Sequence, residues 1–98
     1  MIEANVAMIL VLFGLFEADI GCDWTITSTH RSVEHNKEVG GVPNSKHLNG
    51  LAIDAVPLCS LDEHTVRRIS LKWFDRAFYY KSTGHWHFDV KEEDNENN

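Results

Sequence analysis

The sequence has few cysteines and no basic stretch, and both shortages narrow the classes of protein to which it can belong. Two cysteines, Cys22 and Cys59, in 98 residues are too few for a small domain held together mainly by disulfides. They could pair in an oxidising compartment, but we expect two buried free thiols. Nine Lys and Arg residues stand against fifteen Asp and Glu residues, for a net charge of −6. Because no basic stripe is present to neutralise phosphates, nucleic acid is not expected as a partner.

A long hydrophobic run is also missing. The most apolar segment, Ala4–Phe16, is short of the roughly 20 residues that a membrane-spanning helix needs. It follows Met1-Ile2-Glu3, which has no Lys or Arg, and it runs into Glu17-Ala18-Asp19 rather than a small-residue cleavage site. The pattern therefore predicts a buried helix over residues 3–18, with no membrane span and no recognisable signal peptide.

The overall composition is that of one small soluble globular domain. Apolar residues make up 43% of the chain and charged residues 24%, which excludes collagen-like and wholly disordered chains. The last segment, Lys91–Asn98, is charged and rich in amides, without an apolar residue. We predict a single domain over residues 1–90 and a disordered acidic tail over residues 91–98.

Hydropathy patterns and turn residues predict a mixed α+β domain. A capping box of Ser60 and Glu63 predicts the start of one of its helices. Taken together, the predicted helices and strands indicate a small, largely antiparallel sheet with helices packed on one face. The predicted strands are residues 24–28, 51–56, 77–80 and 85–90; besides the helix over 3–18, helices are predicted over 29–37 and from 60 to about 72, with an irregular loop over 39–45.

Histidine and aspartate residues of the kind that bind zinc occur in two of the predicted segments. Zinc binds imidazole nitrogen and carboxylate oxygen, and a catalytic zinc site has three protein ligands and an open position. His47, Asp54 and one histidine of the pair His85 and His87 could supply such a set. Since residues two apart in a strand share a face, His85 and His87 are expected to point the same way. A carboxylate in an otherwise apolar strand, as at Asp54, also needs a partner.

Each of these patterns has an ordinary structural explanation as well. A histidine and an aspartate at such a spacing often occur together by chance, and paired histidines on an edge strand are commonly surface residues. Asp54 could instead cap a loop or form an ion pair with Arg31. The spacing alone therefore leaves metal binding and a purely structural role open.

Three segments together resemble one enzyme family. The run Ser45-Lys46-His47-Leu48-Asn49-Gly50-Leu51-Ala52-Ile53-Asp54 resembles the S-x-H-x-x-G-x-A-x-D signature of the zinc D-Ala-D-Ala carboxypeptidases and L-alanyl-D-glutamate endopeptidases. Upstream, residues 26–45 are similar to that family's S-G-Y-R-S…N…V-G-G stretch. Downstream, residues 85–90 are similar to its closing H-x-H or V-H-V-D strand. The resemblance covers about residues 5–90 and implies the fold that these peptidases share with the signaling domain of hedgehog proteins.

The resemblance implies roles for individual residues. His47, Asp54 and His87 match the three ligands of a single zinc ion. Arg31 matches an arginine that holds a substrate carboxylate or polarises the scissile carbonyl, a task suited to paired hydrogen bonds from a planar guanidinium. Ser45 matches a serine that contacts the substrate.

The general base of the family has no counterpart at its usual places. Many relatives have a Glu six residues before the last ligand, where this sequence has Lys81, or Tyr80 in an alternative alignment. Others have an acid three residues before that ligand, where Gly84 stands here. As a hypothesis, Asp89 or His85 acts as the base; Asp89 could equally orient the imidazole of the last ligand, and His85 could hydrogen-bond the reacting oxygen from beside the metal.

The function that the resemblance implies is zinc-dependent hydrolysis of amide bonds in peptidoglycan peptides, with the particular bond left open. Phage lysis or cell-wall remodelling is the implied setting. A phage-encoded enzyme of this kind would be made in the host cytoplasm and act on the cell wall, and we expect a monomer. Because Lys81 and Gly84 replace the expected acids, the alternative is a catalytically silent zinc-binding module of the same fold that binds a cell-wall peptide or a protein partner.

Overall fold

One four-stranded antiparallel sheet, in the order β1-β2-β4-β3, organises residues 2–91, which this computed structural model describes. The α+β class, with a small antiparallel sheet and helices, is confirmed. The predicted acidic tail lies outside the described residues, apart from Lys91. The elements are α1 (Ile2–Ile20), β1 (Trp24–Ser28), α2 (Val33–Glu38), a short 3-10 helix (Lys46–Asn49), β2 (Ala52–Pro57), α3 (Glu63–Ser70), β3 (Arg76–Tyr80) and β4 (His85–Asp89).

The first helix packs one of its faces against the sheet. Ile9, Phe13 and Phe16 recur at helical spacing and are fully or almost fully buried, and the rings of Phe13 and Phe16 pack against Trp24 and Phe88 of the sheet. The prediction of a core helix is thus correct for this face. The helix has apolar residues nearly all round, however, and those on its other side, including Met8, Leu10, Val11 and Leu15, remain exposed. Within residues 2–91, no helix combines the length and hydropathy needed to cross a lipid bilayer.

The two faces of the sheet have opposite characters because side chains alternate along each strand. On the face toward α1 and α3, Ile53 of β2 and Trp86 and Phe88 of β4 are buried in the hydrophobic core. The other face presents the residues between them. In the antiparallel register Asp54 lies opposite His87, and Ala52 lies opposite Asp89. The polar side chains of β2 and β4 are therefore brought together on the face away from α1 and α3.

The expectation of two free thiols is wrong, because Cys22 and Cys59 form a disulfide with their Cα atoms 6.2 Å apart. The pairing of β1 with β2 explains their proximity. Trp24 lies opposite Pro57 in the register, and the backbone N–H of Leu58 donates to the carbonyl of Asp23 over 2.8 Å. Cys22, just before β1, and Cys59, just after β2, consequently meet at the same end of this strand pair although they are 37 positions apart in sequence.

We expect the double substitution Cys22→Ser/Cys59→Ser to lower the free energy of unfolding by about 3 kcal/mol, because closing a loop of this length restricts the unfolded chain. Urea titration of the wild type and the variant measures the difference. A reductant should shift the wild-type transition and leave the variant unchanged. Equal midpoints for the two proteins under oxidising conditions would contradict the prediction.

The helix after β2 begins later than the sequence pattern indicates. Ser60 was predicted as its N-cap, but the N-cap is Asp62, and α3 starts at Glu63. The carboxylate of Asp62 accepts hydrogen bonds from both the backbone N–H and the hydroxyl of Thr65, over 3.0 and 3.1 Å. A carboxylate that accepts two bonds satisfies this helix start better than a serine that can accept from one backbone N–H. The polar helix predicted over residues 29–37 is likewise shorter, with Ser32 as the N-cap of α2.

Candidate metal centre

Three side chains from separate segments meet on the polar face of the sheet. His47, Asp54 and His87 each offer a ligand atom, and the three atoms lie within 4.8 Å of one another. Asp54 Oδ1 is 3.1 Å from His47 Nε2 and 2.9 Å from His87 Nδ1. The pairing of β2 with β4 sets Asp54 opposite His87, and the 3-10 helix brings His47 to them. The sequence-predicted ligand set is therefore assembled as one cluster.

The short 3-10 helix determines how His47 enters the cluster. The Ser45 hydroxyl accepts a hydrogen bond from the backbone N–H of His47 over 3.2 Å, and Gly50 ends the helix in the left-handed conformation, with φ of 72°. A Cβ on Gly50 would also lie 2.8 Å from a methyl carbon of Val6 in α1. The glycine of the sequence signature is thus required both by its φ and by the close packing of α1 on this turn.

Both imidazoles are held at the ring nitrogen that faces away from Asp54. His47 Nδ1 contacts the carbonyl oxygen of Thr29, which can only accept, so this nitrogen carries a proton and Nε2 faces Asp54. His87 Nε2 is 2.8 Å from Asp89 Oδ2, which leaves His87 Nδ1 facing Asp54. Ring nitrogens fixed by carbonyl and carboxylate partners are the usual surroundings of metal-binding histidines. The donor set therefore fits a metal ion.

A buried carboxylate and an arginine hold the outer side of His87. Asp89 is 1% exposed, and Arg76 binds it through two parallel hydrogen bonds of 2.9 and 2.8 Å. The register explains the arrangement, since Arg76 of β3 lies directly opposite Asp89 of β4. Both carboxylate oxygens are thereby occupied. Arg76 was not identified from the sequence; its place opposite Asp89 requires the strand pairing.

The charges in this cluster shift its ionisation equilibria. Burial acts to lower the pKa of His87, but hydrogen bonds to Asp54 and Asp89 outweigh it and raise the pKa to about 9. Burial likewise acts to raise the pKa of Asp54, yet hydrogen bonds and positive charge from His47 and His87 hold that pKa well below its usual range. The pKa of Asp89 is lowered in the same way by His87 and Arg76. The carboxylates are thus kept ionised, as metal ligands and their partners must be.

Arg31 reaches the cluster from the segment after β1. One of its terminal nitrogens is 3.2 Å from Asp54 Oδ2, so the ion pair considered from the sequence is present beside the metal-ligand set. The other terminal nitrogen donates to Asn36 Oδ1 over 3.0 Å. Asn36 is 3% exposed, and its own amide donates to the Val42 carbonyl over 2.8 Å. Asn36 therefore positions Arg31, a role that the sequence pattern did not reveal.

Gly41 leaves the space that Asn36 and Arg31 occupy. A Cβ on Gly41 would lie 2.8 Å from Asn36 Cγ and 3.0 Å from a terminal nitrogen of Arg31. We expect Gly41→Ala to cost about 1–3 kcal/mol of unfolding free energy by overpacking, measured by urea titration. Gly14→Ala is the matched control, since nothing lies within 4 Å of its added Cβ and alanine favours the helix. Equal effects of the two substitutions would contradict the prediction.

The cluster lies beside an open cleft of about 720 Å³. Of the candidate site residues, Arg31, Ser45, His47, His87 and Asp89 line this cleft. His85 is not among the described residues that line it; its ring stacks on Tyr80 with centroids 4.7 Å apart, and its Nδ1 contacts the Thr83 hydroxyl. Within residues 2–91, the cleft is lined by Arg31, Gly40, Gly41, Val42, Asn44, Ser45, Lys46, His47, Arg76, Phe78, Tyr80, His87, Asp89 and Lys91.

The fold and the cluster define a class: a small α+β domain whose sheet carries one His-Asp-His metal-ligand set beside a substrate-sized cleft. Such sets with an open side are typical of hydrolytic metal sites. The family model for peptidase M15 matches residues 3–89, and the chain belongs to the peptidase M15 family. Comparisons with curated proteins and with solved structures gave no match.

Proposed function

We propose that this protein is a zinc peptidase that hydrolyses amide bonds in peptidoglycan peptides, of the D-Ala-D-Ala carboxypeptidase or L-Ala-D-Glu endopeptidase type. The observation that carries the proposal is the convergence of His47, Asp54 and His87 within 4.8 Å beside a cleft that Arg31 also lines. The peptidase M15 match over residues 3–89 supports it.

His47, Asp54 and His87 would hold the zinc ion. Two imidazoles and one carboxylate are a common catalytic zinc set, and the outer partners Thr29 and Asp89 keep both rings oriented toward Asp54. When bound, zinc supplies Lewis-acid polarisation of a carbonyl and lowers the pKa of a water molecule.

Substrate binding is the role that we propose for Arg31 and Ser45. Arg31 is held by Asp54 and Asn36, and its remaining N–H donors can bind a substrate carboxylate or the scissile carbonyl oxygen. The Ser45 oxygen accepts from the backbone of His47, which leaves its own O–H free to donate to a peptide in the cleft. Both residues orient the substrate rather than transfer protons.

The contacts of Asp89 and His85, the two candidate general bases, favour different roles for them in proton transfer. Asp89 has both oxygens bonded to Arg76 and His87, an arrangement suited to orienting His87 rather than to accepting a proton from water. His85 shares the strand face of His87 and stacks on Tyr80, which lines the cleft. We therefore propose Asp89 as a positioning residue and His85 as the proton acceptor in hydrolysis.

A second candidate function rests on a specific observation. Among the described residues that line the cleft, Asp89 is the only carboxylate, and its oxygens are already bonded. A chain that lacked an effective base would still bind metal and peptide. The alternative is thus a catalytically silent zinc-binding module of the same fold.

Digestion of defined muropeptides by zinc-loaded protein, followed by mass spectrometry with and without a chelator, tests the proposal. We expect a chelator-sensitive loss of mass that identifies the bond. His85→Gln should lower turnover at least about tenfold with zinc retained, whereas His64→Gln, at an exposed position of α3, is the control. No cleavage of any muropeptide with zinc still bound would reject the peptidase and favour the binding module.

The biological setting that we propose, phage lysis or cell-wall remodelling, rests on the resemblance of the sequence motifs. Purified protein added to isolated cell walls should release soluble peptides in a zinc-dependent way. Walls that stay intact while free muropeptides are cut would argue against action on assembled cell wall.

A further inference from the structure

A closed circuit of side-chain contacts joins β3 to β4 at the wall of the cleft. The antiparallel register places Arg76 opposite Asp89 and Phe78 opposite His87, and all four residues line the cleft. Arg76 Nε and Nη2 are 2.9 and 2.8 Å from the two oxygens of Asp89, and Asp89 Oδ2 is 2.8 Å from His87 Nε2. The ring centroid of Phe78 closes the circuit, at 6.0 Å from that of His87 and 5.3 Å from the guanidinium carbon of Arg76. A candidate metal ligand is thus connected to a residue of the neighbouring strand.

The burial of Asp89 makes Arg76 more than a surface residue. Asp89 is 1% exposed, whereas the side chain of Arg76 is 53% exposed. A buried carboxylate is costly unless it is paired with a positive charge and hydrogen-bonded. Among the described residues, Arg76 is the only lysine or arginine within 4 Å of the Asp89 carboxylate. Arg76 therefore supplies the permanent positive charge that holds an ionised Asp89 behind His87.

The paired hydrogen bonds from Arg76 also fix the orientation of the Asp89 carboxylate. Two parallel bonds from a planar guanidinium define the plane of a carboxylate as well as its position. Asp89 Oδ2 accepts from both Arg76 Nη2 and His87 Nε2, so the position of Arg76 determines where His87 Nε2 finds its acceptor. With Nε2 held there, His87 Nδ1 faces Asp54 Oδ1 at 2.9 Å. Phe78 supports the guanidinium through a cation–π contact.

We infer that Arg76 is a positioning residue of the metal centre, which raises the affinity for zinc by holding Asp89 against His87. The inference rests on the proposed function for the identity of the metal. Arg31 contacts the ligand-set residue Asp54 directly, whereas Arg76 acts on the metal centre only through Asp89. Partners outside the ligand set typically contribute about 10-fold to 100-fold to metal affinity. The metal centre thus extends beyond its three ligands to β3.

A double-mutant cycle of zinc affinities tests the inference. Competition with a chelator of known affinity measures zinc binding by the wild type, Arg76→Gln, Asp89→Asn and the double variant. We expect each single substitution to lower the affinity about tenfold. The double variant should also lose about tenfold rather than the roughly 100-fold that independent effects would give, because Arg76 acts through Asp89. If Arg76→Gln does not fold, Arg76→Lys completes the same cycle, since it keeps a positive charge beside the buried carboxylate.

Two further variants separate orientation from charge. Arg76→Lys keeps the charge but binds a carboxylate as a point charge without fixing its plane, so its zinc affinity should lie between those of the wild type and Arg76→Gln. Arg68→Gln, at an exposed position of α3, removes the same charge and should keep the wild-type affinity.

The results for zinc binding and for muropeptide cleavage distinguish the inference from the proposed function. Wild-type affinity in Arg76→Gln, or a further tenfold loss when Arg76→Gln is added to Asp89→Asn, would overturn the inference even if muropeptides are cut. The expected affinities without cleavage of any muropeptide would support the inference and reject the peptidase. A wild type that binds no zinc would overturn both.

Discussion

Replacing Asp54 with asparagine should lower the affinity for zinc at least about 100-fold, more than the loss typical of an outer-shell partner. Asp54 lies between His47 Nε2 and His87 Nδ1 at 3.1 and 2.9 Å, so the substitution removes the one negative charge of the ligand set. Zinc at about 1,000 times its dissociation constant should stabilise the wild type by about 4 kcal/mol. The same concentration should stabilise Asp54→Asn by much less. Thermal or urea unfolding at fixed zinc measures both effects.

Asp23→Asn serves as the control for this substitution. Asp23 is an exposed acid in the loop before β1, so the change in net charge is the same while the cluster is untouched. Its zinc-dependent stabilisation should equal that of the wild type. If zinc stabilised Asp54→Asn as much as Asp23→Asn, the assignment of Asp54 as a ligand would be rejected.

The affinity for zinc should rise about 100-fold between about pH 6 and about pH 8. Without metal, His87 faces carboxylates through both ring nitrogens, and its pKa is raised to about 9. A metal ion can bind Nδ1 only after the proton there has left, so proton and metal compete throughout this range. The release of one proton gives a tenfold change in affinity per pH unit. Competition with a chelator of known affinity, at several pH values, measures the slope.

The raised pKa of His87 also predicts that the stability of the metal-free protein falls as the pH rises, whereas its affinity for zinc increases. The pKa of His87 in the folded state lies above its unfolded value of about 6.5. Its bonds to Asp54 and Asp89 therefore stabilise the fold fully below about pH 6.5, and this contribution disappears as the pH rises through about 9. Asp89→Asn should flatten both trends by removing one carboxylate from His87, while His64→Gln should change neither. A zinc affinity independent of pH between 6 and 8 would contradict the assignment.

Much of the secondary structure could be predicted from local sequence patterns, because these patterns depend on residues that are adjacent in the chain. Short runs of β-branched, aromatic and other apolar residues between turn residues predicted each of the four strands to within one residue at either end. The two-residue periodicity of a strand placed His85 and His87 on one face and Trp86 and Phe88 on the other. The three candidate metal ligands also came together as the resemblance implied.

Features that depend on strand pairing could not be predicted. The disulfide between Cys22 and Cys59 follows from the pairing of β1 with β2, and the contact between Arg76 and Asp89 follows from that of β3 with β4. Nothing in the spacing of these residues indicates which strands are neighbours. The positioning role of Asn36 could not be predicted for a similar reason, since its side chain acts on Arg31 and on the Val42 carbonyl from inside a short polar helix.

The strand order also determines when the metal centre can form during synthesis. Of the described strands β4 is the last to be made, yet it is inserted between β2 and β3. His47 and Asp54 therefore leave the ribosome well before His87, the third member of their set. Pairing β2 with β4 closes a long loop and is intrinsically slow. A nascent chain that ends before β4 has two of the three ligands, so a complete ligand set requires the pairing of β2 with β4.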